Sequence, residues 1–286
     1  MRKDNIGFVI WLIGGMIIVA GLLTIIFSNF TSFSVSANTA YAAEPTLSVG
    51  NTPQPVAEKL LYNPPRPEDA PADIRDAVML GYNLMVNTQE YAADYVGNDL
   101  NCTNCHFEGG ISQGGKNGGF SLVGVAAEYP KYRQRQDYAV DLVTRTNDCF
   151  QRSENGKPLP PDSKEMVSIL TYYKWISSGV PIYYPGVPWL GAPGVESGQP
   201  ADAGSGEKIY SQQCAACHAA DGMGTLIAPP LWGEHSYNDG AGMSKPATLT
   251  SFAFYNMPRG NPSLSKQQAA DVALFVNSQP RAHYAK

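Results

Sequence analysis

Two pentapeptides constrain this chain more than any other feature: "CTNCH" at Cys102–His106 and "CAACH" at Cys214–His218. C-x-x-C-H is the attachment pattern of haem c. Two thiols at this spacing form thioethers to the haem vinyl groups, and the adjacent imidazole is then held against the iron. Two such motifs in 286 residues predict two covalently attached haem c groups, on Cys102, Cys105 and His106 and on Cys214, Cys217 and His218. A disulfide or zinc reading of the same cysteines needs further paired ligands. Outside the motifs only His235, His283 and Cys149 remain.

Haem c is attached outside the cytoplasmic membrane, and the N-terminus agrees with export. Ile6–Phe27 carries no charge and is long enough to cross a bilayer as a helix. Arg2 and Lys3 precede it and belong on the cytoplasmic side. Ala40 and Ala42 in "SANTAYAAEP" fit an A-x-A cleavage site. An uncleaved anchor and a cleaved signal peptide therefore both stand. Either way the working domains are periplasmic, soluble or anchored to the cytoplasmic membrane by the N-terminal helix. The net charge of −5 argues against nucleic acid as a partner.

The expected fold is all-α: two tandem cytochrome c-type domains joined by a Pro/Gly-rich linker and preceded by the N-terminal hydrophobic helix. Residues 1–45 are read as signal peptide or anchor plus tether, and 46–182 as the first haem domain. Residues 183–204 are the linker and 205–286 the second haem domain. A helix is predicted from about Asp73, as N-cap, up to the first motif. Another starts near Asp162, with Glu165 in capping-box position and Met166, Ile169, Leu170 and Tyr173 at helical spacing. The last helix, "SLSKQQAADVALFVNS", opens on a Ser265/Gln268 capping box and sets Ala269, Val272, Ala273 and Val276 on one apolar face. Strand signals are weak throughout.

The sixth iron ligand decides what each haem does. For the second, "FAFYNMPRG" offers Met257 before Pro258, with Met243, His235 and Lys245 as rivals. For the first, the corresponding region offers Cys149, with Met166 as rival. A free Cys is commonly a small buried hydrophobe. In "TRTNDCFQRSENG", however, helical spacing puts Arg145, Cys149 and Arg152 or Ser153 on one face. Positive charge of that kind favours a thiolate. Lys131, Arg133 and Arg135 add to it in "YPKYRQR", and in an acidic chain this cluster reads as a pocket for a small dianion.

The segments "SLVGVAAEYPKYRQR", "TRTNDCFQRSENGKPLP", "PPLWGEHSYNDGAGM" and "FYNMPRGNPSLS" resemble the thiosulfate dehydrogenases, dihaem c-type cytochromes. The resemblance runs from about Asp73 to Pro280. It implies coupling of two thiosulfates to tetrathionate, or the reverse as a tetrathionate reductase, with a soluble or membrane cytochrome c as electron partner. A dihaem electron-transfer cytochrome without substrate chemistry of its own is the alternative. The resemblance further implies His106 and Cys149 as ligands of the first, active-site iron and His218 as proximal ligand of the second. It places Arg135, Arg145 and Ser153 at substrate-binding positions. Asn256 stands where some relatives carry a Lys before the Met, so Met257 is the simpler second ligand. The implied mechanism makes Cys149 a covalent sulfur carrier.

Overall fold

The computed structural model describes residues 60–184 and 186–285, which pack together as one unit. The apolar segment Ile6–Phe27 and the Ala40–Ala42 site lie outside the described residues. Among the described residues no helix is long and apolar enough to cross a membrane.

Two helical crossings organise the chain. In the first half, α1 (Arg75–Val86) packs across α5 (Lys164–Ile176). Val78, Leu84 and Met85 of α1 meet Met166, Ile169, Tyr172 and Ile176 of α5 in one apolar cluster. The crossing is close because Gly81 sits at it: a Cβ there would lie 2.3 Å from the Ser168 carbonyl oxygen. In the second half, α6 (Ala203–Gln213) crosses α9 (Lys266–Asn277) in the same way. Gly206 fills the matching place, where a Cβ would lie 2.1 Å from the Asp271 carbonyl oxygen. Each half is thus a first and a last helix clamped together, with the C-x-x-C-H motif just after the first. Between them lie α2 (Thr88–Tyr91), α3 (Val125–Glu128), α4 (Leu142–Arg152), α7 (Ala215–His218) and α8 (Pro246–Asn256). The second apolar cluster also takes in Leu100 and Phe107 from the first half, so the two cores abut.

The local signals hold unevenly. Ser265 and Gln268 form the expected capping box, and Ala269, Val272, Ala273 and Val276 are buried. Asp73 does not cap α1: its N-cap is Ile74, with no side-chain cap. Nor does Asp162 cap α5. Ser163 does so, its hydroxyl accepting from the Met166 N–H at 3.1 Å, which leaves Glu165 outside the box position. Helix α6 begins at Ala203, where Asp202 caps it by accepting from the Ser205 N–H at 2.7 Å.

Two departures matter for the site. The helix carrying Cys149 starts only at Leu142, capped by Asp141. Before it, Lys131–Arg133 (β1) and Tyr138–Val140 (β2) form an antiparallel hairpin. Its turn holds Asp137 at φ 62°, in the left-handed region that Asp tolerates. The proline-rich segment after Tyr183 also packs against both halves. Trp189 donates to the Val123 carbonyl at 2.8 Å, and the Pro193 carbonyl accepts from Ser251 of α8 at 2.7 Å.

Candidate active site

The first C-x-x-C-H motif folds as a tight 3-10 turn, Cys102–Asn104, capped reciprocally by Asn101 and Asn104. His106, which follows Cys105 at the end of the motif, has its Nδ1 2.8 Å from the Phe120 carbonyl oxygen. A carbonyl only accepts, so Nδ1 carries the proton and Nε2 keeps its lone pair. Burial pushes the His106 pKa down to about 4, so the ring is neutral at ordinary pH. His218 repeats the arrangement with the Pro229 carbonyl at 2.8 Å, and burial lowers its pKa too. Two neutral imidazoles with a free nitrogen, each following two half-buried or exposed thiols, are what a covalently held haem iron requires. Met257 caps α8 and packs against the apolar cluster that takes in Cys214 and Trp232. Of its rivals, His235 is exposed and 3.2 Å from Asp99, while Met243 and Lys245 line the cavity beside the first motif.

That cavity has a volume of about 370 Å³. Cys105 and His106 form part of its wall, and Cys149, Arg145, Arg135 and Ser153 all line it. A smaller cavity of about 80 Å³ shares Cys105, His106, Arg145, Cys149 and Ser153 and reaches Cys102 and Glu154. Met166 lines neither; it is fully buried in the first core, as its helical register predicts.

The residues singled out in the sequence therefore converge, but on different terms. Arg145 donates from Nη1 to the Cys149 sulfur at 2.8 Å, and its attraction to Cys149 keeps the guanidinium charged, above its usual range. Arg135 sits in the turn of the β1–β2 hairpin and donates to the Gly240 carbonyl at 2.9 Å. It thereby joins the hairpin to the "YNDGAGM" segment of the second half. Ser153 is the C-cap of α4. Arg152 also lines the cavity but is already engaged there: it pairs with Asp148 at 3.1 Å and lies over the Tyr284 ring at 4.1 Å.

Lys245, considered only as an iron ligand, instead brings a cation to this cavity from the start of α8. Nothing local in the sequence signals that placement. In all, Lys131, Arg133, Arg135, Arg145, Arg152 and Lys245 face Glu128 and Asp148 around the cavity, a net positive lining in an acidic chain. Such a lining favours a small, multiply charged anion.

The second half also holds α4 in place. Asn238, 1% exposed, donates from its side chain to the Gln151 carbonyl at 2.9 Å and to the Asn155 side chain at 3.1 Å. Its backbone N–H donates to the Arg152 carbonyl. Asn98 bridges the Ser153 and Ser236 carbonyls.

Comparison with known proteins agrees with this geometry. Residues 91–182 match the family described as SoxA/TsdA, cytochrome c domain, and residues 203–280 match cytochrome c. A thiosulfate dehydrogenase of Stutzerimonas stutzeri is 39% identical, covering 77% of this chain and 73% of that protein. One from Thiomonas intermedia is 36% identical, covering 87% and 81%. The solved thiosulfate dehydrogenase (TsdBA) of Marichromatium purpuratum superposes with a TM-score of 0.71 at 29% identity. That match covers 75% of this chain and 48% of the solved one, so this chain spans about half its length.

Fold and site together define a c-type cytochrome built from two cytochrome c domains, with two covalently bound haem c groups. Within that class, the chain belongs to the thiosulfate dehydrogenase family.

Proposed function

We propose that this chain oxidises thiosulfate, coupling two dianions into tetrathionate, and that the same site can run in reverse. The observation that carries this reading is the hydrogen bond between Arg145 and Cys149, beside His106, in a cavity whose charged lining is mainly cationic. A site built only for electron transfer needs neither the thiol nor the cations.

In this reading Cys102, Cys105, His106 and Cys149 would hold the first haem, and Cys214, Cys217, His218 and Met257 the second. The chain divides into a leader or anchor with tether (1–45), a substrate domain (46–182), a linker (183–204) and an electron-transfer domain (205–286). Export places these domains in the periplasm, with Ile6–Phe27 as signal or membrane anchor.

The chemistry follows from the side chains. Arg145, Arg135 and Ser153 bind the first thiosulfate with its sulfane sulfur toward Cys149, and Lys245 adds charge from the opposite half. Each charge-assisted hydrogen bond contributes about 1.5–3 kcal/mol. The Cys149 thiolate and the sulfane sulfur form an S–S bond, leaving a Cys149-bound thiosulfonate and releasing two electrons. When bound, the two haem c groups would supply the one-electron redox chemistry for this pair, with a cytochrome c as final acceptor. A second thiosulfate then attacks the sulfane sulfur. The bond to Cys149 breaks, tetrathionate leaves and the thiolate is restored, as in thiol–disulfide exchange.

The test is Cys149→Ser, assayed for tetrathionate formation with ferricyanide as acceptor. Turnover should vanish while both haem groups remain attached. Near-normal tetrathionate formation in that variant would refute the covalent role.

A further inference from the structure

The segment after α9 runs back along the second half and reaches the first. Main-chain bonds fix its path. The Gly233 N–H donates to the Pro280 carbonyl at 2.8 Å, and the Asp239 N–H donates to the Ala282 carbonyl at 3.0 Å. Arg281 donates to the Val276 carbonyl at 2.7 Å and lies over the Tyr237 ring at 4.3 Å. The Asp239 carboxylate then accepts from the Tyr284 N–H at 2.8 Å and from His283 Nδ1 at 2.6 Å. Arg281–Tyr284 lies beyond residues 203–280, the stretch that matches cytochrome c.

Tyr284 is where this segment meets the first half. Its ring centroid lies 4.1 Å from the Arg152 guanidinium carbon. It also packs against Gly240, where an added Cβ would lie 2.7 Å from the Tyr284 Cβ. Both neighbours bear on the charge of the large cavity. Arg152 lines it, and the Gly240 carbonyl accepts from Arg135, which lines it too. Tyr284 itself stands outside the lining. Arg152 uses Nε to bond Asp148, and among the described residues no hydrogen bond takes either of its Nη groups. Those groups are left for an anion in the cavity. A long side chain held by a carboxylate at one edge and by an aromatic face loses little freedom when that anion binds.

We propose that Tyr284 is a positioning residue for substrate binding: its ring face holds Arg152 in the cavity wall, so that the guanidinium meets the thiosulfate dianion already oriented. The same side chain backs Gly240, whose carbonyl holds Arg135. The proposal rests on the thiosulfate reading of this cavity. Tyr284 acts on affinity rather than on the sulfur chemistry, because it stands behind Arg152 and outside the cavity.

The test uses the chain with both haem groups attached and fully reduced with titanium(III) citrate, so that nothing present can oxidise the substrate. Calorimetric titration with thiosulfate should show Tyr284→Ala weaker by about 3- to 10-fold in Kd. Tyr284→Phe keeps the ring face and should stay within about twofold of the unmodified chain. In the Arg152→Met background, Tyr284→Ala should have no further effect. With ferricyanide as acceptor, Tyr284→Ala should raise KM for thiosulfate by about the same factor and leave kcat within about twofold. The inference fails if Tyr284→Ala binds thiosulfate as tightly as the unmodified chain, or if Tyr284→Phe is as weak as Tyr284→Ala. It also fails if the loss persists undiminished beside Arg152→Met, or if the unmodified chain binds no thiosulfate. If binding shows the expected losses but no tetrathionate forms, this inference is supported and the proposed reaction is refuted.

Discussion

Arg145 and Cys149 stand one turn apart on α4, with the guanidinium nitrogen 2.8 Å from the sulfur. The pairing is intrahelical, so the helix sets it, and no loop movement is needed to bring charge to the thiol. Arg145→Met should remove the charge while keeping much of the volume. Losing a charge-assisted hydrogen bond of about 1.5–3 kcal/mol predicts a fall of about 10- to 150-fold in kcat/KM for thiosulfate. Electron paramagnetic resonance of the oxidised protein should show an altered first-haem signal, while the second stays unchanged. Arg145→Lys should restore part of the rate, because an ammonium keeps the charge but not the planar fork.

Lys245 reaches the same cavity from the second half of the chain. If it helps to gather a dianion without touching the sulfur that reacts, Lys245→Ala should raise KM by about 3- to 10-fold and leave kcat nearly unchanged. The effect should shrink as ionic strength rises, since Lys245 is exposed. Steady-state kinetics at two salt concentrations checks both statements.

Asn238 is the buried pin between the "YNDGAGM" segment and the end of α4. Asn238→Ala would leave the half-buried Gln151 carbonyl without this donor. The expected cost is about 1–3 kcal/mol of stability, read as a lowered Tm. Because α4 carries Cys149, the first-haem spectrum should also broaden, which a remote packing defect would not cause.

Glu154 is 3% exposed, and its Oε2 has no hydrogen-bond partner among the described residues. Burial raises its carboxyl pKa from 4.5 to about 8. Between those values the folded chain keeps a proton that the unfolded chain releases, so stability falls as pH rises through that window. Below pH 4.5 the group has no effect, and above pH 8 its cost is complete. Glu154→Gln mimics the protonated carboxyl and should abolish the trend. Thermal unfolding should find it more stable than the unmodified chain by on the order of 4–5 kcal/mol at pH 8–9, and equal near pH 4.

The haem motifs, the capping box at Ser265 and the apolar faces of α5 and α9 were legible because each depends on residues near one another in the chain. A C-x-x-C-H pentapeptide contains its own geometry, and helical spacing alone buried Met166 in the core rather than beside the haem motif. Helix starts were less legible. Asp73 and Asp162 both look like caps, yet Ile74 and Ser163 take those places. Several residues close together can cap, and the tertiary path selects among them.

Residue order alone specified the two C-x-x-C-H motifs, two helix-rich cytochrome c domains, the family, and Cys149 with Arg145 as one unit on a helix. What surrounds that unit came from the packing of the two halves. The β1–β2 hairpin carries Arg135 across to Gly240, Lys245 arrives from the start of α8, Arg152 is taken up by Asp148 and Tyr284, and Asn238 locks α4 from the other half. Arg135 and Gly240 are 105 positions apart and Asn238 and Gln151 are 87 apart, so these contacts are set by how the two halves pack rather than by any local period. The chemistry of the thiol is a local property of one helix, whereas the charge of its pocket is a property of the packed pair.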